Sequence, residues 1–331
     1  MKFATYHNGQ PDGQLMVVSR DLSRAVDASS IAPDLLHALQ HWEELAPALQ
    51  RLSDALNDGD RSGAGVFDPA RCMAPLPRTF QWCDASAFLN HGHLMERAFN
   101  TEPIPDFDTV PVMYQGASDD FLGPCVPVPM PDEALGIDFE GEFGVVTGAL
   151  PMGVTSDLAE RAIRLVVQLN DWSLRALAGR EMRAGFGFLQ AKPSTSFAPV
   201  AVTPDELGDA WRDGRVQLDL EVSWNDVHFG RPNGGEMHYS FGELLAHAAR
   251  TRKLGAGTIL GSGTVSNAGG ERGSACIAER RVIEILAQGA PLTAFMRFGD
   301  RVRMCARTAG GEAPFGAIDQ RVVAAGETQR A

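Results

Sequence analysis

Short apolar runs separated by glycine and proline fill most of this sequence beyond its first 75 residues. The 331 residues include 35 glycines and 20 prolines, and both residue types end helices and strands or form the turns between them. Apolar runs this short are typical of strands. The candidate strands are residues 144–148, 200–202, 216–224, 258–260 and 300–306. They do not alternate with helices as βαβ units do, so we predict a β-dominated α+β fold.

The first 75 residues have a different pattern. Two β-rich runs, at residues 3–6 and 15–19, are separated by turn-forming residues and predict a hairpin. Residues 33–57 carry leucines at helical spacing, and Pro47 is expected to kink or split that helix. A stretch rich in glycine and proline follows. We therefore predict a small N-terminal α/β domain at residues 1–75 and a catalytic domain at residues 76–331.

Two helices are predicted within the second domain. One covers residues 157–169, where apolar residues recur along one side. The other covers residues 241–250 and begins at Ser240. Glu243 follows three residues later, which is the spacing of a capping box, a reciprocal pair of hydrogen bonds at a helix start.

The charge balance excludes one class of partner. Lys and Arg number 29 against 42 Asp and Glu, a net charge of −13. Such a chain lacks the basic surface on which binding to nucleic acid depends, whereas a cation or a small ligand is an easier partner.

The five scattered cysteines form no CxxC pair and indicate neither a disulfide framework nor a zinc ribbon. Without a signal-peptide pattern or an apolar run of roughly 18 residues, a cytoplasmic protein with no membrane partner is expected.

The clearest sign of chemistry is an acidic segment, Asp138-Phe139-Glu140-Gly141-Glu142. Side chains alternate across a strand, so the three acids project from one face and apolar neighbours project from the other. Three like charges on one face repel one another. A hard divalent cation with oxygen ligands would relieve that repulsion. A solvated strand face with an apolar back explains the segment alone equally well.

Two further carboxylates are weaker signals. Asp171 follows directly on the predicted helix 157–169, and a turn or cap position explains it as well as a ligand role does. Asp84 precedes His91 by seven residues, which on a helix would place both side chains on one face. Such a histidine could act as a base or as a ligand, although lone histidines are more often structural or exposed.

Taken in order, these pieces resemble the fumarylacetoacetate hydrolase family. The family pattern is an Asp with a His seven residues later, Tyr-x-Gly, Glu-x-Glu, Asn-Asp-Trp-Ser-x-Arg, a Lys, and a late stretch rich in Gly and Ser or Thr. The corresponding positions here are Asp84 with His91, Tyr114-Gln115-Gly116, Glu140-Gly141-Glu142, Asn170-Asp171-Trp172-Ser173-Leu174-Arg175, Lys192 and Gly261-Ser262-Gly263-Thr264. The match covers roughly residues 78–325, and the order of six motifs is specific where each alone is not.

The resemblance implies the family's mixed β-roll, barrel-like catalytic fold and a divalent cation, Mg²⁺ or Ca²⁺, with Mn²⁺ as a further choice. The ligands that it implies are Asp84, Glu140, Glu142 and Asp171. The catalytic groups that it implies are His91 as the base, Glu279 as its support, and Lys192 and Arg97 as stabilisers of an oxyanion. The family's supporting Glu stands about two positions earlier than Glu279. The substrate contacts that it implies are Tyr114, Thr264 and Arg175.

Some positions depart from the animal enzymes of the family. Ser86 stands where they carry a tyrosine, Ala178 where they carry a glutamine, and Met182 or Arg183 where they carry a second tyrosine. All three family residues contact the substrate or line its pocket. The reaction class is therefore easier to predict than the substrate.

The implied activity is metal-dependent hydrolysis of a carbon–carbon bond in a β-diketone or acylpyruvate-type acid such as fumarylacetoacetate, as in aromatic amino acid catabolism. The resemblance also suggests a homodimer. Two alternatives stay open: a decarboxylase or isomerase/hydratase of oxaloacetate-like or dienol acids, and a non-catalytic binding protein on the same scaffold. The GxGxxG-like spacing at residues 255–261 lacks a strand–helix frame and does not predict nucleotide binding.

Overall fold

The computed structural model describes residues 1–99 and 104–326, and the side chains of residues 1–97 and 104–326. Its helices are α1 (Leu35–Gln40), α2 (Trp42–Asn57), α3 (Leu89–Phe99), α4 (Ser156–Arg161), α5 (Arg175–Ala184), α6 (Phe241–Ala248) and α7 (Ile277–Gln288). Its strands are β1 (Lys2–Tyr6), β2 (Gln14–Val18), β3 (Arg24–Asp27), β4 (Ala64–Val66), β5 (Trp82–Ala85), β6 (Met113–Gly116), β7 (Val128–Met130), β8 (Ile137–Asp138), β9 (Gly141–Thr147), β10 (Ile163–Asn170), β11 (Ser173–Leu174), β12 (Ser196–Phe197), β13 (Ala201–Val202), β14 (Trp211–Arg212), β15 (Arg215–Val216), β16 (Asp219–Trp224), β17 (Val227–Gly230), β18 (Ile259–Gly261), β19 (Arg301–Arg307) and β20 (Ile318–Ala324).

The largest sheet has eleven strands. Its order is β4-β3-β2-β1-β13-β10-β9-β18-β5-β6, and β12 pairs with β10. Only β18 and β5 pair in parallel within the part of the sheet that is described. Because β1 pairs with β13, the sheet continues across the predicted domain boundary near residue 75. The division into domains therefore stays a prediction.

A second sheet of five strands, in the order β17-β16-β19-β20-β7, faces part of the first. Phe143 and Val145 of β9 lie in the same buried cluster as Leu220 and Val222 of β16. Over the described ranges neither sheet closes into a barrel. The prediction of a strand-rich α+β fold is confirmed. No helix in the same ranges is long and apolar enough to cross a membrane.

The N-terminal region matches most of its predictions. β1 and β2 form the expected hairpin, with Tyr6 opposite Gln14. The predicted helix 33–57 is divided into α1 and α2, but the division falls at His41 and not at Pro47. Pro47 is the sixth residue of α2, past the first turn, so it removes one i→i−4 hydrogen bond from a helix that continues through it.

The predicted helix 157–169 is wrong over most of its length. The helix α4 ends at Arg161, and the strand β10 begins at Ile163. Five of the seven residues from Ile163 to Leu169 are apolar because β10 is a central strand, paired with β9 on one side and with β12 and β13 on the other. Periodicity does not distinguish such a run from a buried helix. Asp171 consequently follows a strand.

The expectation that Asp84 and His91 share one helix is also wrong. Asp84 lies on β5, whereas His91 lies on α3. The helices α3, α5 and α7 were not predicted. All three turn out to carry or adjoin residues of the site described below.

The predicted capping box of α6 is confirmed. Ser240 Oγ accepts a hydrogen bond from the Glu243 N–H at 3.2 Å, and Glu243 Oε2 accepts one from the Ser240 N–H at 2.7 Å. We expect Ser240→Ala to lower the free energy of unfolding by about 1 kcal/mol, since one of the first amides of the helix loses its acceptor. Urea denaturation measures this loss.

Thr155 provides the matched control for that measurement. It occupies the N-cap of α4 but makes no side-chain capping bond. Thr155→Ala is therefore expected to change the free energy of unfolding by less than about 0.5 kcal/mol. Equal losses in the two variants would contradict the capping argument.

Candidate functional site

Three carboxylates converge in the interior of the large sheet. Asp84 comes from β5, Glu142 from β9, and Asp171 from the residue after β10. One oxygen from each lies within 4.8 Å of the others, and all three side chains are buried. The strand β18 lies between β9 and β5, and Gly261 in that strand faces Asp84 so closely that a Cβ atom would collide with its carboxylate. The glycine makes room for this carboxylate group.

The electrostatics of the three carboxylates are unfavourable on their own. Burial, together with the charge of Asp171, raises the pKa of Asp84 to about 8. Burial and the charges of Asp84 and Asp171 also raise the pKa of Glu142 well above its ordinary value. Among the described residues, no hydrogen bond reaches either carboxylate oxygen of Glu142.

Buried oxygens without donors are costly, and several carboxylates gathered at one point are the preferred ligands of hard cations. The residues therefore fit Mg²⁺, Ca²⁺ or Mn²⁺, and we expect Asp84, Glu142 and Asp171 to hold such an ion. The donor set contains oxygen only, which disfavours a structural zinc site.

Glu140, the fourth predicted ligand, lies outside this three-carboxylate group. Lys192 Nζ lies 2.6 Å from Glu140 Oε2 and 2.8 Å from Asp171 Oδ2. Arg175 Nη2 donates to Glu140 Oε1 at 2.5 Å. Burial would raise the pKa of Glu140, but the charges of Lys192 and Arg175 outweigh it and hold the pKa well below its ordinary value. Glu140 is therefore an ionised partner of two cations, and its role as a ligand stays a prediction.

Asp171 and Asp84 are also fixed by neutral donors. Tyr114 Oη donates to Asp171 Oδ2 at 2.5 Å, and Thr195 Oγ1 donates to Asp171 Oδ1 at 2.8 Å. The Gly263 N–H donates to Asp84 Oδ1 at 3.1 Å. These bonds aim the two carboxylates at the same point. Thr195 was not predicted, because nothing in the spacing of the surrounding residues marks it as a partner of Asp171.

The predicted base and its support lie together. His91 Nδ1 is 2.9 Å from Glu279 Oε2, since α3 packs against α7. The Glu279 side chain is 1% exposed and that of His91 is 17% exposed. The charge of His91 also contributes to lowering the pKa of Glu140. With Nδ1 bound to Glu279, Nε2 is the nitrogen that can exchange a proton with a substrate or water.

Asp138 shares the acidic segment but does not join the three-carboxylate group. Its carboxylate accepts hydrogen bonds from Arg175 Nε at 2.8 Å, from the Ile277 N–H at 2.7 Å and from the Ala278 N–H at 2.9 Å. Burial raises its pKa despite the charge of Arg175. Arg175 thus spans two carboxylates, and its predicted contact with substrate stays a prediction.

The remaining predicted residues differ in their placement. Thr264 is buried directly after Gly263. Arg97 is exposed in the last turn of α3, and no hydrogen bond or ion pair within the described ranges joins it to the carboxylates. Its role as an oxyanion stabiliser stays a prediction. Phe188 packs edge-on against Tyr114, with ring centres 5.0 Å apart, and gives the site an apolar border.

Two family models match the chain. The model described as Fumarylacetoacetate (FAA) hydrolase C-terminal matches residues 81–323, and the model described as Fumarylacetoacetase N-terminal domain 2 matches residues 1–78. A curated relative, the 2,4-didehydro-3-deoxy-L-rhamnonate hydrolase of Sphingomonas sp. (strain SKA58), is 29% identical over 170 residues. That match covers 50% of this chain and spans 56% of the relative's length.

Solved structures share the fold at lower identity. A fumarylacetoacetate hydrolase from psychrophilic Exiguobacterium antarcticum has a TM-score of 0.66 at 18% identity, covering 98% of this chain and 99% of the other. A maleylpyruvate hydrolase from Sphingobium sp. SYK-6, solved with manganese(II) and pyruvate, has a TM-score of 0.63 at 17% identity with the same coverage. A fumarylpyruvate hydrolase from Pseudomonas aeruginosa, solved with Mn²⁺ and pyruvate, has a TM-score of 0.53 at 14% identity and covers 74% of this chain and 89% of the other.

Proposed function

This chain belongs to the fumarylacetoacetate hydrolase family, and from that membership we propose that it is a metal-dependent hydrolase of acylpyruvate-type acids. The bond that it cleaves lies between the two carbonyl-bearing parts of a β-dicarbonyl acid such as fumarylacetoacetate. The proposal rests on two features of the described residues: the buried group of Asp84, Glu142 and Asp171, and the His91–Glu279 pair. The first supplies oxygen ligands, and the second supplies a base.

The cation that we propose is Mg²⁺, Ca²⁺ or Mn²⁺, held by Asp84, Glu142 and Asp171, with Glu140 as a fourth ligand. Two relatives of the same fold are described as complexes with manganese and pyruvate, which supports both a divalent ion and an α-keto acid product. When bound, such a cation supplies Lewis acidity toward the two oxygens of a β-dicarbonyl acid.

His91 begins the proposed reaction. Its Nε2 removes a proton from water, and the water oxygen forms a bond to the carbonyl carbon. Glu279 holds Nδ1 and stabilises the imidazolium that results, as a buried carboxylate does behind a catalytic histidine. Lys192, already placed between Glu140 and Asp171, stabilises negative charge on the carbonyl oxygen.

The carbon–carbon bond then breaks. Its electron pair passes to the carbon beside the second carbonyl group, and that carbon takes up the proton that His91 removed from water. One molecule of water is consumed, and the products are a carboxylic acid and a keto acid or ketone. Tyr114 and Thr264 are proposed to contact the substrate during these steps, and Arg97 to stabilise the same oxyanion.

The alternative is a decarboxylase or an isomerase/hydratase of oxaloacetate-like or dienol acids on the same ligand set. Decarboxylation needs a cation and a positive charge but no base that activates water. The His91–Glu279 pair therefore favours hydrolysis over decarboxylation.

We also propose a cytoplasmic homodimer with domains at residues 1–75 and 76–331. The five cysteines are all free thiols, which suits a reducing compartment. Light scattering of the purified protein would measure the assembly. A monomer at the concentration used for the activity assay would contradict that part of the proposal.

A substrate panel tests the proposed activity. Acylpyruvates, fumarylacetoacetate and oxaloacetate are offered to the purified protein with Mn²⁺, Mg²⁺ or EDTA. We expect turnover of at least one acylpyruvate-type acid, a loss of about 100-fold or more in EDTA, and recovery on adding excess Mn²⁺. Faster decarboxylation of oxaloacetate would support the alternative, and a lack of turnover on every β-dicarbonyl acid would reject the proposal.

A further inference from the structure

We infer that Asp138 is a positioning residue that couples the His91–Glu279 pair to the carboxylate site. The inference rests on the proposed function of that site. Asp138 touches neither the three-carboxylate group nor His91, yet its single buried carboxylate holds one partner on each side. The two connections share one oxygen, Oδ2, which accepts from both Arg175 and Ala278.

The first connection leads to Glu279. Asp138 accepts hydrogen bonds from the N–H groups of Ile277 and Ala278, the first two residues of α7, at 2.7 and 2.9 Å. Cys276 Sγ accepts from the N–H of Glu279 at 3.3 Å. A carboxylate at a helix N-terminus is stabilised both by these donors and by the helix dipole. The first turn of α7 is thereby fixed, and with it the backbone of Glu279.

The second connection leads to Glu140. Arg175 Nε donates to Asp138 Oδ2 at 2.8 Å, and its Nη2 donates to Glu140 Oε1 at 2.5 Å. The remaining oxygen of Glu140 bonds to Lys192 at 2.6 Å. Asp138 therefore orients the arginine that orients one side of Glu140, while Lys192 orients the other.

The charge of Asp138 is required in addition to its hydrogen bonds. All three of its partners are donors, and an ionised carboxylate offers acceptors only. In Asp138→Asn the amide nitrogen would face at least one of these donors. Oδ2 accepts from both Arg175 Nε and the Ala278 N–H, so an amide nitrogen in its place weakens both connections.

The test compares Asp138→Asn with wild type in the intact protein. We expect kcat on the accepted substrate to fall about 10–100-fold while KM changes by less than about threefold, and Mn²⁺ affinity to fall about 10-fold. Hydrogen exchange at the amides of Ile277 and Ala278 should become faster, whereas exchange at the capped start of α6 should not change. Asp34→Asn is the matched control, because Asp34 caps α1 by accepting from the His37 N–H at 2.7 Å.

Arg175→Lys keeps the inference testable if Asp138→Asn does not fold. A lysine keeps the charge but presents no fork that spans two carboxylates. We expect it to reproduce the losses in kcat and in Mn²⁺ affinity without altering exchange in α7. Wild-type kcat and Mn²⁺ affinity in both variants would overturn the inference. If the wild-type protein cleaves no acid of the panel, the proposed function fails, and the Mn²⁺ titration and hydrogen exchange still decide the role of Asp138.

Discussion

Replacing His91 with alanine should abolish turnover and leave cation binding intact. A general base typically contributes about 10²–10⁴-fold to a rate, and here no second histidine pairs with Glu279 among the described residues to replace it. The carboxylate oxygens of Asp84, Glu142 and Asp171 are untouched by the substitution, so the titrated Mn²⁺ affinity should stay within about threefold of the wild-type value. Activity assays and calorimetric titration measure the two quantities separately.

Two further variants sharpen this result. Glu279→Gln should retain part of the activity, since the histidine remains but loses the negative charge that stabilises its protonated form. His93→Ala is the matched control. His93 is an exposed histidine on the same helix, edge-on to Phe107 at 6.2 Å between ring centres. Full activity in His91→Ala, or equal losses in His91→Ala and His93→Ala, would contradict the assignment of the base.

Glu142→Gln should lose the cation and the activity together. Neither carboxylate oxygen of Glu142 receives a hydrogen bond within the described ranges. The substitution keeps the size of the side chain but replaces one of these oxygens with an NH₂ group, which cannot bind a cation. We expect a loss of at least about 100-fold in Mn²⁺ affinity and about 10²–10³-fold in activity at limiting metal. Excess Mn²⁺ should restore little of the activity.

Stability separates ligand loss from unfolding in this variant. In EDTA, wild-type Glu142 is a buried acid beside Asp84 and Asp171, and the neutral amide removes that unfavourable burial. Glu142→Gln should therefore melt at or above the wild-type temperature in EDTA and fail to gain stability when Mn²⁺ is added. Glu221→Gln is the control: Glu221 on β16 pairs with Arg307 at the end of β19, so this substitution should leave Mn²⁺ affinity unchanged. A metal-binding, active Glu142→Gln protein would remove the central claim about the site.

The sequence predicted the acidic face of the site for a physical reason. Alternation along a strand requires Glu140 and Glu142 to project to one side, and repulsion between them requires a positive partner. The structure supplies part of that charge as Lys192 and Arg175 beside Glu140. In the folded protein Glu140 pairs with Lys192 and Arg175, whereas Glu142 lies beside Asp84 and Asp171. This difference depends on tertiary contacts, so strand periodicity could not predict it.

Pairing across distant parts of the chain was predictable only through the family resemblance. His91 and Glu279 are 188 residues apart and meet because α3 packs on α7, and neither helix was predicted. Ala278, Val282 and Ile285 stand at the spacing i, i+4, i+7 in α7 and were an available signal for that helix. The hydrogen bond from Thr195 to Asp171 could not be predicted from any sequence pattern, since hydroxyl residues occur in every kind of loop.

The prediction of a helix where the structure has the strand β10 was wrong although the sequence pattern there is strong. Its sequence signal was strong but ambiguous, because a strand covered on both faces loses the alternation that distinguishes strands. The strand β10 also borders the site. It pairs with β9, which carries Glu142, and ends one residue before Asp171.

The continuous large sheet has a consequence for how this protein can be divided. The four strands β1–β4 are joined to the rest of the sheet through the pairing of β1 with β13. Excision of residues 1–75 would leave the backbone donors and acceptors of β13 open at a new sheet edge, beside apolar side chains such as Val167 and Ala201 that now pack with the N-terminal strands. Open apolar edges recruit further strands from other molecules. A fragment cut at the boundary between the two family matches would therefore keep every proposed ligand and yet be prone to self-association.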